Sequence, residues 1–112
     1  MSHHETRDRL RHMLVHAREV VELTHEKTRA DLDSDRVLSL ALARLLEIIG
    51  EAAGRVPVQE RSQHPDIPWP EIVGLRNRLI HGYDSVDNDI LWRIISRDIP
   101  DLVQKLETAT ES

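Results

Sequence analysis

The sequence predicts an all-α protein, an antiparallel up-and-down bundle of four long helices plus one short helix. Three observations carry this. Apolar residues recur at spacings of three and four along several segments, the period of an amphipathic helix. No segment shows the alternation of a half-buried strand. Only four glycines occur in 112 residues, with 39% apolar and 31% charged residues. A chain of this length reads as one domain, residues 1–112.

The first helix is expected over about 5–28, where Leu10, Met13, Leu14, Ala17, Val20, Val21 and Thr24 form a narrow apolar stripe. Asp31-Leu32-Asp33-Ser34 interrupts it, and Asp33 or Ser34 can cap the next helix. That second helix, about 35–55, is broader. Val37, Leu38, Ala41, Leu42, Leu45, Ile48, Ile49, Ala52, Ala53 and Val56 cover about half the cylinder, which implies several packing neighbours. Arg44, Glu47, Glu51 and Arg55 share its other side. They read as a solvated ion-pair ladder, or with Glu51 orienting a catalytic arginine.

Pro57 opens a short helical stretch reaching Gln63. Pro65, Pro68 and Pro70 then make a stiff connection, with Pro70 suited to the first turn of a helix over about 70–80. Gly82 can end that helix and residues 84–88 form a turn in which Asp87 is a cap. The last helix, about 88–108, carries Leu91, Ile94, Ile95, Leu102, Val103 and Leu106, and Pro100 should kink or split it near Ile99.

Composition excludes several classes. No cysteine is present, so there is neither a disulfide framework nor thiolate chemistry. This suits a reducing, cytoplasmic setting. No apolar run approaches the roughly 20 residues of a membrane span, and no signal-peptide pattern opens the chain. A net charge of −5 argues against generic, charge-driven nucleic-acid binding, so such binding would need a local basic patch.

The densest chemistry lies in Arg76-Asn77-Arg78-Leu79-Ile80-His81-Gly82-Tyr83. On a wheel drawn through 69–80, Trp69, Ile72, Val73, Leu75, Leu79 and Ile80 form one face with Arg76 near its middle. An unpaired arginine buried there would be costly. Either it pairs with a buried acid, or the face opens into a cleft or onto a partner chain. His81 lies about 140° from Arg76 on an unbroken helix. Cooperation therefore requires the helix to end near His81, or two copies to meet across a symmetry axis. Imidazole can act as general base on a ribose 2′-hydroxyl, and guanidinium can hold the scissile phosphate. A structural arginine and a helix-terminal histidine are the bland alternative.

The segment Ile67–Trp92, preceded by the run Glu47–Val56, resembles the HepT family of HEPN-domain toxins, and the resemblance covers about residues 8–107. The family motif R-x-x-x-x-H-x-Y maps without gaps onto Arg76, His81 and Tyr83, with the usual polar residue after the arginine supplied by Asn77. The resemblance implies a HEPN-like two-fold homodimer with both motifs facing one cleft, and a ribonuclease needing no metal or cofactor. It assigns catalysis to Arg76, His81 and Asn77. It also implies an MntA-type nucleotidyltransferase antitoxin that transfers AMP to Tyr83, blocking RNA by bulk and charge.

Arg78, Arg93 and Arg97 are candidates for RNA contact, or plain surface charges. Trp92 suits dimer contact or core packing, and Trp69 a core anchor. His12 and His16 have the i, i+4 spacing of a helical metal pair but no evident third ligand, so no metal site is assigned. The leading expectation is a homodimeric ribonuclease toxin. The alternative is a non-catalytic helical partner, or nucleotide-binding subunit, of a nucleotidyltransferase.

Overall fold

Helix α1 spans His3–Thr24, and the Ser2 hydroxyl caps it by accepting the Glu5 N–H at 3.1 Å. The computed structural model describes residues 1–80 and 85–111. Leu10, Met13, Leu14, Ala17 and Val20 are buried along α1, as the stripe predicts. The helix ends sooner than expected, in a turn where Glu26 takes a φ of 62°.

Residues read as a break form a short helix instead, α2 (Arg29–Ser34). Its cause is a capping box: the Asp31 carboxylate accepts the Thr28 N–H at 2.6 Å and its hydroxyl at 3.1 Å. The cap of the next helix, α3 (Arg36–Gly54), is therefore Asp35, which accepts from the Leu38 N–H, and not Asp33 or Ser34.

The buried side of α3 carries Leu42, Leu46, Ile49, Ala52 and Ala53. It packs against α1 and against two short helices later in the chain, so its breadth does serve several neighbours. Val37 and Ala41 are exposed, narrowing the face at its start. Gly50 is needed where the first of those short helices crosses, because a Cβ there would lie 2.9 Å from the Ile72 carbonyl oxygen. Arg44 pairs with Glu47 at 3.1 Å and Glu51 at 3.6 Å, three members of the expected ion-pair ladder, while Arg55 has no ion-pair partner among the described residues.

Helix α4 (Val58–Arg61) follows Pro57. The proline-rich connection then turns around Trp69, which is buried and donates its indole N–H to His64 O at 3.1 Å. Arg61 lies over its ring, 5.7 Å from the centroid. Trp69 is thus a core anchor.

The expected long helix over 70–80 is instead two short ones. These are α5 (Trp69–Val73), with Pro70 in its first turn, and α6 (Leu75–Leu79). Gly74, with a ψ of 4°, divides them. Among the described residues there are consequently three long helical rods where four were expected, and the segment over 69–79 forms short helices.

The third rod is composite. Helix α7 (Asn88–Arg93) is capped by Asp87, whose carboxylate accepts the N–H groups of Asp89 and Ile90. A π-helical turn comes next over Ile94–Asp98, and α8 covers Ile99–Thr110. Pro100 explains the π turn. It lacks an N–H and its ring crowds the carbonyl four residues back, so the turn widens and the Ile99 N–H donates to Ile94 O. The expected split near Ile99 is where the structure puts it. This rod runs antiparallel to α1: Arg7 near the start of α1 donates to Thr110 O, while Arg29, beyond the end of α1, pairs with Asp89 at the start of α7. No helix among the described residues is long and apolar enough to cross a membrane.

Candidate functional site

Arg76 and Asn77 sit on α6, and both are exposed. This corrects the wheel, which placed Arg76 within a buried face. The wheel treated 69–80 as one helix, and the division at Gly74 changes the phase. Leu75 and Leu79 are fully buried and form the inner line of α6. At about 100° per residue, Arg76 lies roughly 60–100° to one side of that line, Arg78 the same to the other, and Asn77 opposite it. No buried acid faces Arg76: its guanidinium has no hydrogen-bond or ion-pair partner among the described residues, and Glu51 pairs with Arg44.

The helix does end before position 81. Ile80 is extended, at φ −102° and ψ 119°, and its N–H still donates to Arg76 O at 3.1 Å. Ile80 then pairs with Val86 in an isolated antiparallel bridge, and the Asp87 N–H donates to Leu79 O at 2.9 Å. His81 and Tyr83, along with the proposed stop at Gly82, lie outside the described residues.

The three arginines expected to contact RNA divide. Arg78 is engaged: its guanidinium donates to the Asp98 carboxylate at 3.2 Å, both side chains about one-third exposed (35% and 36%). Arg93 and Arg97 are exposed and have no ion-pair partner among the described residues. Trp92 is half-buried and packs against the core.

Beyond the bridge, Asn88 fastens α7 to α2 and α3. It donates to Leu32 O at 3.3 Å and to the Asp33 carboxylate at 3.2 Å, and accepts the Ser39 hydroxyl at 2.7 Å. Arg29 adds ion pairs to Asp33 at 2.9 Å and Asp89 at 2.7 Å. A cleft of about 270 Å³ opens here, lined by Arg36, Leu40, Val86 and Asn88 among others. The Asn88 amide is used up within the fold, so this wall is structural. Asp31 and Asp33 are both held below the ordinary carboxylate value of 3.8, Asp31 first by the Thr28 backbone N–H and Asp33 first by Arg29.

His12 and His16 pack edge to face, ring centroids 4.4 Å apart, and a ring nitrogen of His16 lies 2.8 Å from His12 O. Desolvation, then the His16 and Arg9 charges, lower the His12 pKa below 6.5. Among the described residues no three His, Asp or Glu side chains gather as a metal site.

Asp98 and Ser39 are among the residues that the sequence did not single out. Asp98 has one signal, since Pro100 two positions later announces a distorted turn. Ser39 has none, as a lone serine within an apolar helix face.

The family model described as "Ribonuclease HepT-like" matches residues 13–109. The chain is 36% identical over 107 residues to the protein named "Putative RNase MJ1380" of Methanocaldococcus jannaschii, a span of 96% of this chain and 98% of that one. It is 42% identical over 93 residues to "Probable ribonuclease HepT" of Thermococcus cleftensis, covering 80% and 84%. It is 38% identical over 98 residues to "Putative RNase TTE0752" of Caldanaerobacter subterraneus subsp. tengcongensis, covering 88% of each. No solved structure matches the chain.

Proposed function

The chain belongs to the HepT-like ribonuclease family, within the HEPN superfamily, and on that premise we propose that it is a metal-independent RNA endonuclease, the toxin of a toxin–antitoxin pair. The observation that carries this reading is Arg76: an exposed guanidinium with no carboxylate partner among the described residues, five positions before His81. A guanidinium with no partner among the described residues is available to a phosphate.

In this mechanism Arg76 holds the scissile phosphodiester and offsets the charge that grows on its oxygens. His81 takes the proton from the ribose 2′-hydroxyl, and the 2′-oxygen attacks phosphorus. The bond to the 5′-oxygen breaks and that oxygen takes up a proton, leaving a 2′,3′-cyclic phosphate and a 5′-hydroxyl. Asn77 positions the substrate or His81. Arg93 and Arg97 extend the phosphate contacts, with Arg78 the weakest candidate because of its pairing with Asp98.

The active form is a homodimer that brings two motifs to one cleft. Regulation is by an MntA-type nucleotidyltransferase: the Tyr83 hydroxyl attacks the α-phosphorus of ATP, pyrophosphate leaves, and the attached AMP excludes RNA. The net charge of −5 also favours a second reading, a non-catalytic partner of such a transferase. The test is incubation of the purified protein with RNA in EDTA, beside Arg76→Ala and His81→Ala. Cleavage by the wild type alone supports the ribonuclease. Tight nucleotide binding with intact RNA supports the second reading.

A further inference from the structure

We propose that Asp98 is a positioning residue that sets the rotation of α6, and with it the direction of Arg76; this rests on the ribonuclease reading above. Helix α6 is five residues long and has no side-chain cap at its start. A helix so short does not hold itself together. Leu75 and Leu79 seat it in the core, which fixes its depth. Two leucines on one line fix depth better than rotation, which is left to the Asp87 N–H bond to Leu79 O at the end of α6 and to the Arg78 side chain.

Arg78 and Arg76 flank that line on opposite sides. Arg78 is tied at 3.2 Å to Asp98, and the Arg76 guanidinium is tied to nothing among the described residues. A turn of the helix that released Arg78 from Asp98 would swing Arg76 by the same angle. The only ion pair of α6 among the described residues therefore also aims its free cation.

The location of Asp98 supports this. It closes the π-helical turn that Pro100 imposes. The extra residue of a π turn shifts the helical phase after it by about one residue step, roughly 100° on a helix. Asp98 meets Arg78 from this distorted position. The pair has a second effect, in that it neutralises Arg78, whereas Arg76, Arg93 and Arg97 are exposed without ion-pair partners among the described residues.

Binding and turnover should respond differently to loss of the pair. In Asp98→Asn, Arg78 is freed as an additional cation while Arg76 loses its fixed direction. RNA should bind no more weakly than to wild type, and up to roughly fivefold more tightly at 0.1 M salt. The turnover number should fall by about tenfold or more, as misplacement by a fraction of an ångström to an ångström does. The exchanged pair, Arg78→Asp with Asp98→Arg, should recover turnover relative to Asp98→Asn. Hydrogen exchange at the Ile80 amide, which donates to Arg76 O, should be faster in Asp98→Asn even without RNA.

Unchanged turnover in Asp98→Asn, a loss of RNA affinity in step with the loss of turnover, no recovery in the exchanged pair, or unchanged exchange at Ile80 would each overturn the proposal. A wild-type protein that leaves RNA intact overturns the ribonuclease reading, and with it the catalytic role of Asp98. The exchange measurement then still decides whether Asp98 fixes α6.

Discussion

Ile80 and Val86 meet in an antiparallel bridge that closes the chain on both sides of the motif's remaining residues. The bridge takes over where α6 stops, and Asp87 stands immediately after it as both a hydrogen-bond donor to Leu79 O and the cap of α7. Helix end, bridge and helix start are thus linked in sequence.

Removing the Asp87 carboxylate should be felt at the start of α7, since the bond to Leu79 O is made by the Asp87 backbone N–H. Asp87→Ala strips two N–H groups of their acceptor and should cost about 1 kcal/mol. Urea denaturation measures this, and Asp87→Ser should recover most of the loss. Equal stability of Asp87→Ala and wild type would contradict the capping role.

Gly50→Ala gives a test in which the sign is diagnostic. On helix propensity alone, alanine in α3 should stabilise by up to about 1 kcal/mol. The added Cβ would lie 2.9 Å from Ile72 O, however, and backbone must move to admit it. We expect a net destabilisation of about 1–3 kcal/mol. A rise in stability would mean that α5 does not approach α3 this closely.

The arginines expected to bind RNA should differ in their salt dependence. Arg93→Ala and Arg97→Ala should each reduce the slope of log affinity against log salt by about 0.7 for single-stranded RNA. Arg78→Ala should change it less, because Asp98 already balances that charge. Filter-binding or anisotropy titrations across salt concentrations would reveal equal slopes for all three variants, were the Arg78–Asp98 pair absent in solution.

Acid should loosen the α2 corner. The carboxyls of Asp31 and Asp33 are held below 3.8 by Thr28 and by Arg29 with Asn88. Folding therefore favours their ionised forms. That stabilisation is complete above the unfolded value and is lost as pH falls through the lower folded values. Urea midpoints taken from about pH 5 to about pH 3 should drop more for wild type than for Asp31→Asn or Asp33→Asn. Parallel curves would place the acid-sensitive carboxyls elsewhere.

Much of this architecture was legible in the residue order. The stripe of α1, the breadth of α3, the Asp87 cap, the Trp69 anchor and the break before Pro100 follow from periodicity, capping and missing N–H groups. The course of the chain around Arg76 was not. A wheel assumes one continuous helix, and Gly74 resets the phase within it, so Arg76 emerges exposed. Asp31 misled in the other direction. A run of acids and a serine suggests a break, whereas the contact of Asp31 with Thr28 starts a helix. The Arg78–Asp98 pair joins residues 20 apart through a π turn, and spacing rules for regular helices do not reach it.

The proposed function stands or falls on Arg76 serving an RNA-cleaving site that works by 2′-hydroxyl attack. The deciding measurement is the chemical identity of the new RNA ends formed in EDTA by wild type and by Arg76→Ala. We predict 2′,3′-cyclic phosphate and 5′-hydroxyl ends from wild type, and their near absence with Arg76→Ala. New ends bearing 3′-hydroxyl and 5′-phosphate, or equal cleavage by both proteins, would contradict that role for Arg76.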